Sequence, residues 1–314
     1  MYDLIGDVHG ELDALERLLV AMEYQRVRGV WRHPERRAVF VGDLIDRGPA
    51  SREVVATVRA MVEAGQAHCL MGNHEFNAIA FHTPDPRGGD CHLRPHSEKN
   101  LRQHQATLES YRGHAGQLAD DIAWFQGLPF WLELDGVRVV HAAWSPEAMA
   151  LVEGSGVRDG LDWPMAFPEA FDEASPLGAA LSEVLKGVEW ALPGDAFFHD
   201  KDGHLRREAR VCWWDVAPGH RWPAVAMGPP SLKKALPDEV IPEDYPRLRY
   251  PAEAPPVFFG HYWLWGEPSP LAENVACLDY SVAKGGQLVA YRWAGEQRLQ
   301  RAHFVAVPSE GGGP

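Results

Sequence analysis

The chain has few cysteines, and their spacing does not suit a metal or disulfide site. Cys69, Cys91, Cys212 and Cys277 form no CxxC pair and no cluster with histidine. Because cytosolic disulfides are uncommon, this scarcity predicts reduced thiols that mostly pack in the interior. The cysteines therefore argue against a disulfide framework and against a cysteine-ligated metal.

Long apolar runs are also missing. No window approaches the roughly 18 uninterrupted apolar residues of a membrane helix. Strand-like residues begin at Tyr2 and the first motif begins at Gly6, which leaves no room for the basic start and apolar run of a signal peptide. We therefore expect a cytoplasmic protein with no membrane partner.

The chain has fewer basic residues than acidic residues. The 314 residues include 30 lysines and arginines against 44 acidic residues, a formal net charge of -14. A surface that binds duplex nucleic acid needs basic residues to neutralise phosphates, so duplex partners are not expected. A nucleotide substrate is still compatible, because bound divalent cations offset negative charge locally.

Strand and helix patterns alternate in the first part of the chain. Strands are predicted at 2–5, 38–41 and 67–71, and helices at 12–22, 51–64 and around 74–81. This βαβαβ order predicts strands in a layered sheet with helices outside. The polar segment 83–117 is predicted to be a helical insertion, and 130–134 with 137–141 to be a hairpin.

Residues 154–256 are rich in proline and tryptophan and predict an accessory insertion or cap. Closing strands of a second sheet are then predicted at 257–259, 275–278 and 288–293. The expected fold is one α/β domain over 1–314, an αββα sandwich of two mixed β-sheets flanked by helices. Its core covers about 1–81, 128–153 and 256–305, its insertions cover about 83–127 and 154–255, and residues 311–314 form a frayed tail.

Two glycine-containing motifs follow predicted strands. In GDVHG at 6–10, Asp7 and His9 are two residues apart, so in an extended segment both side chains point to one side. In GDLIDRG at 42–48, Asp43 stands at the strand end, where a carboxylate can bridge two cations, and Asp46 and Arg47 lie on the following turn. Each motif alone also fits an ordinary polar loop.

Three further strand ends carry polar groups. GNHE at 72–75 offers the amide oxygen of Asn73 beside the titratable His74, although Asn73 could instead cap a helix. His141 and His261 each follow an apolar strand. Active sites gather where strand ends meet loops, so the joint pattern favours one site. Mixed oxygen and imidazole ligands suit manganese, iron or zinc better than calcium.

The order GDVHG, GDLIDRG, GNHE, a strand-ending histidine and a later Gly-His resembles the calcineurin-like metallophosphoesterases. It is similar in particular to the branch with serine/threonine phosphoprotein phosphatases and bacterial diadenosine tetraphosphatases. The resemblance covers about 1–81, 128–145 and 256–293. It implies two divalent metal ions, with manganese favoured over iron and zinc.

The resemblance also implies roles for individual residues. One ion would be held by Asp7, His9, Asp43 and His261, and the other by Asp43, Asn73, His141 and a further late histidine, with the split between the ions left open. Asp43 would bridge the ions. Arg47 would bind phosphate, and His74 would be the general acid with Asp46 as its orienting partner.

The implied reaction is in-line attack of a metal-bridging hydroxide on a phosphate ester or anhydride, of a nucleotide or dinucleoside polyphosphate. Met71 and the alanines at 142–143 depart from the phosphoprotein phosphatase pattern, so a phosphoprotein substrate is the alternative. A non-catalytic metal-dependent binding module is the second alternative. The presence of Asp46, Arg47 and His74 argues against it, because a mere binder would not need all three.

Two further groups of residues have open interpretations. The first either clamps substrate phosphates beside an aromatic platform or consists of solvated arginines near packed tryptophans: Arg206, Arg207, Arg210 and Arg221, which flank Trp213 and Trp214. The second has no tight ligand spacing and is predicted to be solvated or packed: His96, His104 and His114.

Overall fold

The computed structural model describes residues 1–88, 91–157, 163–199, 205–228, 230–243, 245–246 and 248–309. The predicted tail and parts of the predicted cap lie outside these residues. Within the described ranges, no helix has both the length and the apolar character that crossing a membrane requires. The chain divides into a main unit, Met1–Leu185 with Pro255–Pro314, and a small unit, Lys186–Ala254. The predicted single-domain organisation stays a prediction.

Nineteen short strands occur in the described residues. They are β1 (Tyr2–Ile5), β2 (Gln25–Val27), β3 (Val30–Arg32), β4 (Arg37–Phe40), β5 (Ala67–Cys69), β6 (Trp131–Leu134), β7 (Val137–Val140), β8 (Glu189–Ala191), β9 (Phe198–His199), β10 (Leu205–Arg206), β11 (Glu208–Val211), β12 (Asp215–Val216), β13 (Ala226–Met227), β14 (Leu248–Arg249), β15 (Val257–Phe259), β16 (Val275–Cys277), β17 (Asp279–Tyr280), β18 (Gln287–Trp293) and β19 (Phe304–Pro308).

Helices occupy the connections. The α-helices are α1 (Leu12–Ala21), α2 (Ser51–Glu63), α3 (Asn73–His82), α4 (Glu98–Ser110), α5 (Ala115–Gln126), α6 (Pro146–Ser155), α7 (Trp163–Ala166), α8 (Pro176–Lys186), α9 (Trp222–Val225) and α10 (Pro230–Ala235). Short 3₁₀ turns lie at Pro168–Phe171, Val282–Lys284 and Arg301–His303.

Two mixed sheets build the main unit. The larger has the order β17-β18-β1-β4-β5, with β19 also paired to β18, and β1, β4 and β5 run parallel. The smaller has the order β16-β15-β7-β6, in which β7, β15 and β16 run parallel. The α/β class and the two mixed sheets agree with the prediction.

One apolar core lies between the two sheets. Leu4 and Val39 of the larger sheet and Val139 and Phe258 of the smaller sheet belong to the same fully buried cluster. On the other side of the larger sheet, α1 lies against β19 and α2 against β5. Strands buried on both faces need continuous apolar runs, which is why β1 and β4 lack polar alternation in most of their residues.

The assignment of 288–293 to the second sheet was wrong. These residues form β18, which pairs antiparallel with β1 in the larger sheet, with Ile5 opposite Ala290. The apolar run fits either sheet equally well, and only pairing across nearly the whole chain decides between them. The β2–β3 hairpin was not predicted, because all three residues of β2 are exposed and show no alternation.

The predicted helical insertion is present as α4 and α5. Ser97 begins α4 as its N-cap, with Oγ accepting from the backbone N–H of Asn100 at 3.3 Å. The small unit, described by itself, contains a three-stranded sheet of β13, β11 and β8 and two paired ribbons, β9 with β10 and β12 with β14.

A buried ion pair ties the larger sheet together. Arg36 donates through Nε to Asp3 Oδ1 at 2.7 Å and through Nη2 to the carbonyl oxygens of Tyr2 and Trp293, both at 2.7 Å. Arg36 is 8% exposed and Asp3 is fully buried. The pair therefore links β1 to the end of β18.

Arg36→Met is expected to lower the free energy of unfolding by about 3 kcal/mol, because removing one partner leaves a buried charge without its main counterion. Arg292, whose Nε lies 3.4 Å from Asp3 Oδ1, moderates the loss. Urea unfolding measures the effect, and the exposed neighbour Arg37→Met is the matched control. Equal stability of the two variants would contradict this structural role.

Candidate metal centre

The six predicted metal ligands follow the carboxyl ends of five strands, β1, β4, β5, β7 and β15. Backbone hydrogen bonds join these ends directly. The N–H groups of Val8 and His9 donate to the Asp43 carbonyl at 3.1 and 2.9 Å. The N–H of Gly260 donates to the His141 carbonyl at 2.8 Å. Parallel strands of two packed sheets therefore deliver the side chains to one place.

Asp43 occupies the centre of this arrangement. Its Oδ2 lies 3.6 Å from His9 Nε2, and its Oδ1 lies 3.5 Å from His141 Nε2. Two groups have candidate ligand atoms that all lie within 4.8 Å of one another: Asp43 with His9 and His74, and Asp43 with His141 and His261. A single carboxylate thus faces two adjacent positions where a cation could bind.

The Asn73 amide tests whether the site suits a cation. In the structure its side-chain oxygen lies 3.1 Å from His141 Nε2. With the amide rotated by 180°, its nitrogen would lie 2.6 Å from His261 Nδ1, 3.1 Å from His141 Nε2 and 3.3 Å from Asp43 Oδ2, so two N–H groups would face three acceptors. Convergence of an amide oxygen, a carboxylate and two imidazoles is the donor set of a divalent metal site.

Two histidine rings are held as metal ligands usually are. His9 Nδ1 lies 2.9 Å from the carbonyl oxygen of Ile45, and His141 Nδ1 lies 2.8 Å from that of Val41. A carbonyl oxygen only accepts, so Nδ1 carries the proton in both rings and Nε2 points into the site. Ligating histidines commonly donate their other ring N–H in this way.

Some buried polar atoms at the site are not hydrogen-bonded within the described part of the chain. Among the described residues, no hydrogen-bond partner reaches Asp7 Oδ1 or His9 Nε2. Leaving a buried polar atom without a hydrogen bond costs about 1–3 kcal/mol of stability. Such atoms therefore often mark a catalytic group or the position of a bound ion. Asp7 Oδ2 accepts from the N–H of His261 at 3.0 Å, which orients the carboxylate. A β-carbon at Gly260 would collide with Asp7 Oδ1, so glycine allows this close approach.

The backbone around the site is strained. Positive φ angles occur at five non-glycine residues of the motif loops, and such outliers cluster at functional sites. They are His9 (48°), Asp43 (52°), Asp46 (66°), Arg47 (72°) and His261 (69°).

Burial and the Asp43 carboxylate together set the pKa values of the site. Burial lowers the pKa of His9 to about 3, with further lowering from His74, so this imidazole is neutral at neutral pH. Burial also acts to lower the pKa of His141, but the Asp43 carboxylate outweighs it and raises that pKa to about 10. Burial raises the pKa of Asp7 well above its usual range, and nearby Asp279 adds to the effect. Metal binding would therefore displace protons from this cluster.

His74 and Asp46 form a close pair beside these groups. His74 Nδ1 lies 2.6 Å from Asp46 Oδ2, and its backbone N–H donates to Asp43 Oδ1 at 2.9 Å. Nη2 of Arg47 lies 3.4 Å from His74 Nε2. The Arg47 guanidinium lies over the Trp263 ring, 4.2 Å from its centroid. The structure thus places the three predicted catalytic side chains together.

Glu75 supports the site and was not indicated by sequence patterns beyond its place in GNHE. It is fully buried, and its carboxylate accepts from the N–H groups of Asp43 and Leu44 at 2.8 Å, Gly72 at 3.0 Å and Ile45 at 3.3 Å. One side chain therefore fixes two motif loops relative to each other.

Asp279 and Trp263 also went unpredicted. Asp279 Oδ2 accepts from the N–H of Trp263 at 2.7 Å, and Oδ1 accepts from that of Ser281 at 3.0 Å. Trp263 stacks on His9, with ring centroids 5.6 Å apart. The loop that follows β15 is thereby held against the site, and no ligand-like spacing marks these residues in the sequence.

The predicted arginine group lies in the small unit. Arg206, Arg207 and Arg221 are exposed, and Arg210 is half-buried with Nε 3.6 Å from Glu189 Oε1. Their substrate-binding role stays a prediction. Nearby Trp213 and Trp214 are buried, at 4% and 7% exposed, and meet edge to face, as packed tryptophans do.

The three histidines with open interpretations have different environments. His96 stacks on Phe81 with centroids 3.9 Å apart, and His114 is exposed. His104 is buried and contacts Asp46.

The sequence model of the family described as calcineurin-like phosphoesterase matches residues 2–154. The chain is 47% identical over 74 residues to the bis(5'-nucleosyl)-tetraphosphatase PrpE (asymmetrical) of Halalkalibacterium halodurans, which covers 23% of this chain and 30% of that protein. The chain therefore spans only about a third of the length of this PrpE relative. Over 315 residues it is 25% identical to the symmetrical bis(5'-nucleosyl)-tetraphosphatase of Vibrio cholerae, covering 96% of this chain and 98% of that protein.

A solved structure of a cold-active protein tyrosine phosphatase shares the fold. Its TM-score is 0.51 at 19% sequence identity, over 93% of this chain and 73% of that chain. The motifs that carry the sequence resemblance up to His141 all lie within the matched residues 2–154. Residues 2–154 therefore belong to the calcineurin-like phosphoesterase family.

Proposed function

We propose that the chain is a dinuclear metal-dependent phosphohydrolase that acts on phosphate esters or anhydrides of a nucleotide or dinucleoside polyphosphate. The observation that carries the proposal is the Asp43 carboxylate shared by two candidate ligand groups, next to His74, Asp46 and Arg47. The tetraphosphatase names of the relatives support the substrate class.

The donor set suggests how two ions would be shared. Asp43, Asn73, His141 and His261 would hold one ion, and Asp7, His9 and Asp43 would hold the other. This places His261 beside His141, whereas the resemblance implied that it joins Asp7 and His9. Manganese is the proposed metal, with iron or zinc as alternatives. Bound ions of this kind neutralise phosphate charge and activate water for in-line attack.

The protein side chains would complete the reaction. Arg47 would bind the equatorial phosphate oxygens with its planar guanidinium, which Trp263 holds in place. His74 would protonate the leaving oxygen from Nε2, while Asp46 accepts from Nδ1 and keeps the ring oriented. The proximity of Arg47 to His74 Nε2 supports this proposal, because phosphate binding and proton donation would then occur at the same location.

An activity panel tests the proposal. Protein stripped with a chelator is expected to be inactive and to regain hydrolysis with manganese at two ions per chain. The panel would compare diadenosine tetraphosphate, mononucleotides, phosphopeptides and RNA ends. Turnover of diadenosine tetraphosphate above the others is the expected result.

Preference for phosphopeptides would support the phosphoprotein alternative instead. Metal binding without turnover of any substrate would support a binding module and contradict the proposed activity. The cytoplasmic location stays a prediction.

A further inference from the structure

The helical insertion reaches the site through α4. His104 Nδ1 lies 2.8 Å from Asp46 Oδ1. Thr107 Oγ1 donates to the same oxygen at 2.6 Å and accepts from the N–H of Asp46 at 2.9 Å. Both side chains are almost completely buried, at 2% and 1% exposed. Three short contacts thus join α4 to the residue that holds His74.

These contacts fix the plane of the Asp46 carboxylate. Oδ2 pairs with His74, and Oδ1 forms buried hydrogen bonds with His104 and Thr107, so neither oxygen can leave its position without breaking a hydrogen bond. Burial alone would raise the pKa of Asp46, but the hydrogen bonds with His104 and His74 hold it well below its usual range. The carboxylate therefore stays ionised and immobile.

His104 is itself oriented by its neighbours. Its Nε2 lies 3.2 Å from His82 Nε2, and its ring packs against Phe81 with centroids 5.1 Å apart. The carboxylate of Asp46 can only accept, so His104 Nδ1 carries a proton. Its Nε2 can then accept from His82, which makes a chain of side chains from α3 through α4 to Asp46.

We infer that His104 is a positioning residue for the proposed reaction: with Thr107 it fixes the Asp46 carboxylate, and through it the ring of His74. This inference rests on the proposed function. It gives the insertion at 83–127 a part in catalysis that its sequence does not indicate. Outer partners of this type typically contribute about 10–100-fold to activity.

The test compares His104→Leu with His104→Asn, whose side-chain amide can still donate from the position of Nδ1. His104→Leu is expected to lower kcat about 10–100-fold for diadenosine tetraphosphate, with little change in KM or metal content. Hydrolysis of nitrophenyl phosphate, a good leaving group, should fall much less. His104→Asn should recover most of the loss. His96→Leu, which removes a packed ring without contact to Asp46, is the matched control.

A second readout does not depend on activity. In protein loaded with diamagnetic zinc, the hydrogen-bonded Nδ1 proton of His74 should give a downfield NMR resonance, assigned by its loss in His74→Ala. It should broaden in His104→Leu and persist in His104→Asn. In the His74→Ala background, His104→Leu should cause no further loss of kcat.

Two outcomes would overturn the inference. One is an equal loss on both substrates without rescue by asparagine, which indicates a structural role alone. The other is an unchanged kcat and unchanged resonance in His104→Leu. Failure of the proposed function looks different, because the unmodified protein would then hydrolyse none of the substrates.

Discussion

Asp43→Asn is expected to lower turnover by on the order of 10³-fold or more, the largest effect of any single substitution. Metal ions at such centres supply several kcal/mol of charge stabilisation, and about 1.4 kcal/mol corresponds to a factor of ten. The substitution keeps the shape of the side chain but removes the charge that both candidate ligand groups share. Kinetics with diadenosine tetraphosphate and metal analysis of the same sample measure the effect.

Metal content should fall from two ions per chain to one or none in this variant. Asp120→Asn on the exposed face of α5 removes the same charge away from the site and is the control. Retention of both ions together with normal turnover would contradict the bridging role of Asp43.

His74→Ala is expected to lower kcat by about 10²–10⁴-fold, the usual contribution of a general acid, while both ions stay bound. The loss should be large for leaving groups that need a proton and small for nitrophenyl phosphate. His74 Nδ1 is hydrogen-bonded to Asp46, so the proton for the leaving group would come from Nε2, which lies beside Arg47. A good leaving group needs little protonation and therefore loses little when His74 is removed. Steady-state kinetics on both substrates distinguish these cases.

The exposed His114→Ala is the matched histidine control and should leave both activities unchanged. An equal loss on the two substrates, or a loss of metal from His74→Ala, would show that His74 does not act as the proposed acid.

Local patterns predicted the elements that carry the site. The strand before Asp7 and the hairpin before His141 appear within one residue of their predicted bounds, because short apolar runs between turns depend on local sequence. The helix that begins at Asn73 was also predicted within one residue at each end. Polar residues follow the ends of five strands, and the order of these strands along the chain already favoured one shared site.

Contacts between segments that are distant in the sequence were harder to predict. β18 was placed in the wrong sheet, because pairing with β1 joins opposite ends of the chain and any apolar run can make it. The grouping of His261 with His141 likewise depends on the parallel pairing of β15 with β7. Sequence spacing contains no information about either choice.

The sequence by itself indicated the resemblance to calcineurin-like phosphoesterases, the α/β class and the residues that gather at the proposed metal centre, because each motif is a strand end followed by a tight turn. Only the tertiary structure decided what holds those residues in place. Glu75 joins two loops and His104 reaches Asp46 from 58 residues away, and both depend on how helices pack against strands. Hydrogen bonds of this kind require positions within about 3 Å, which packing of the whole domain sets and no local pattern encodes.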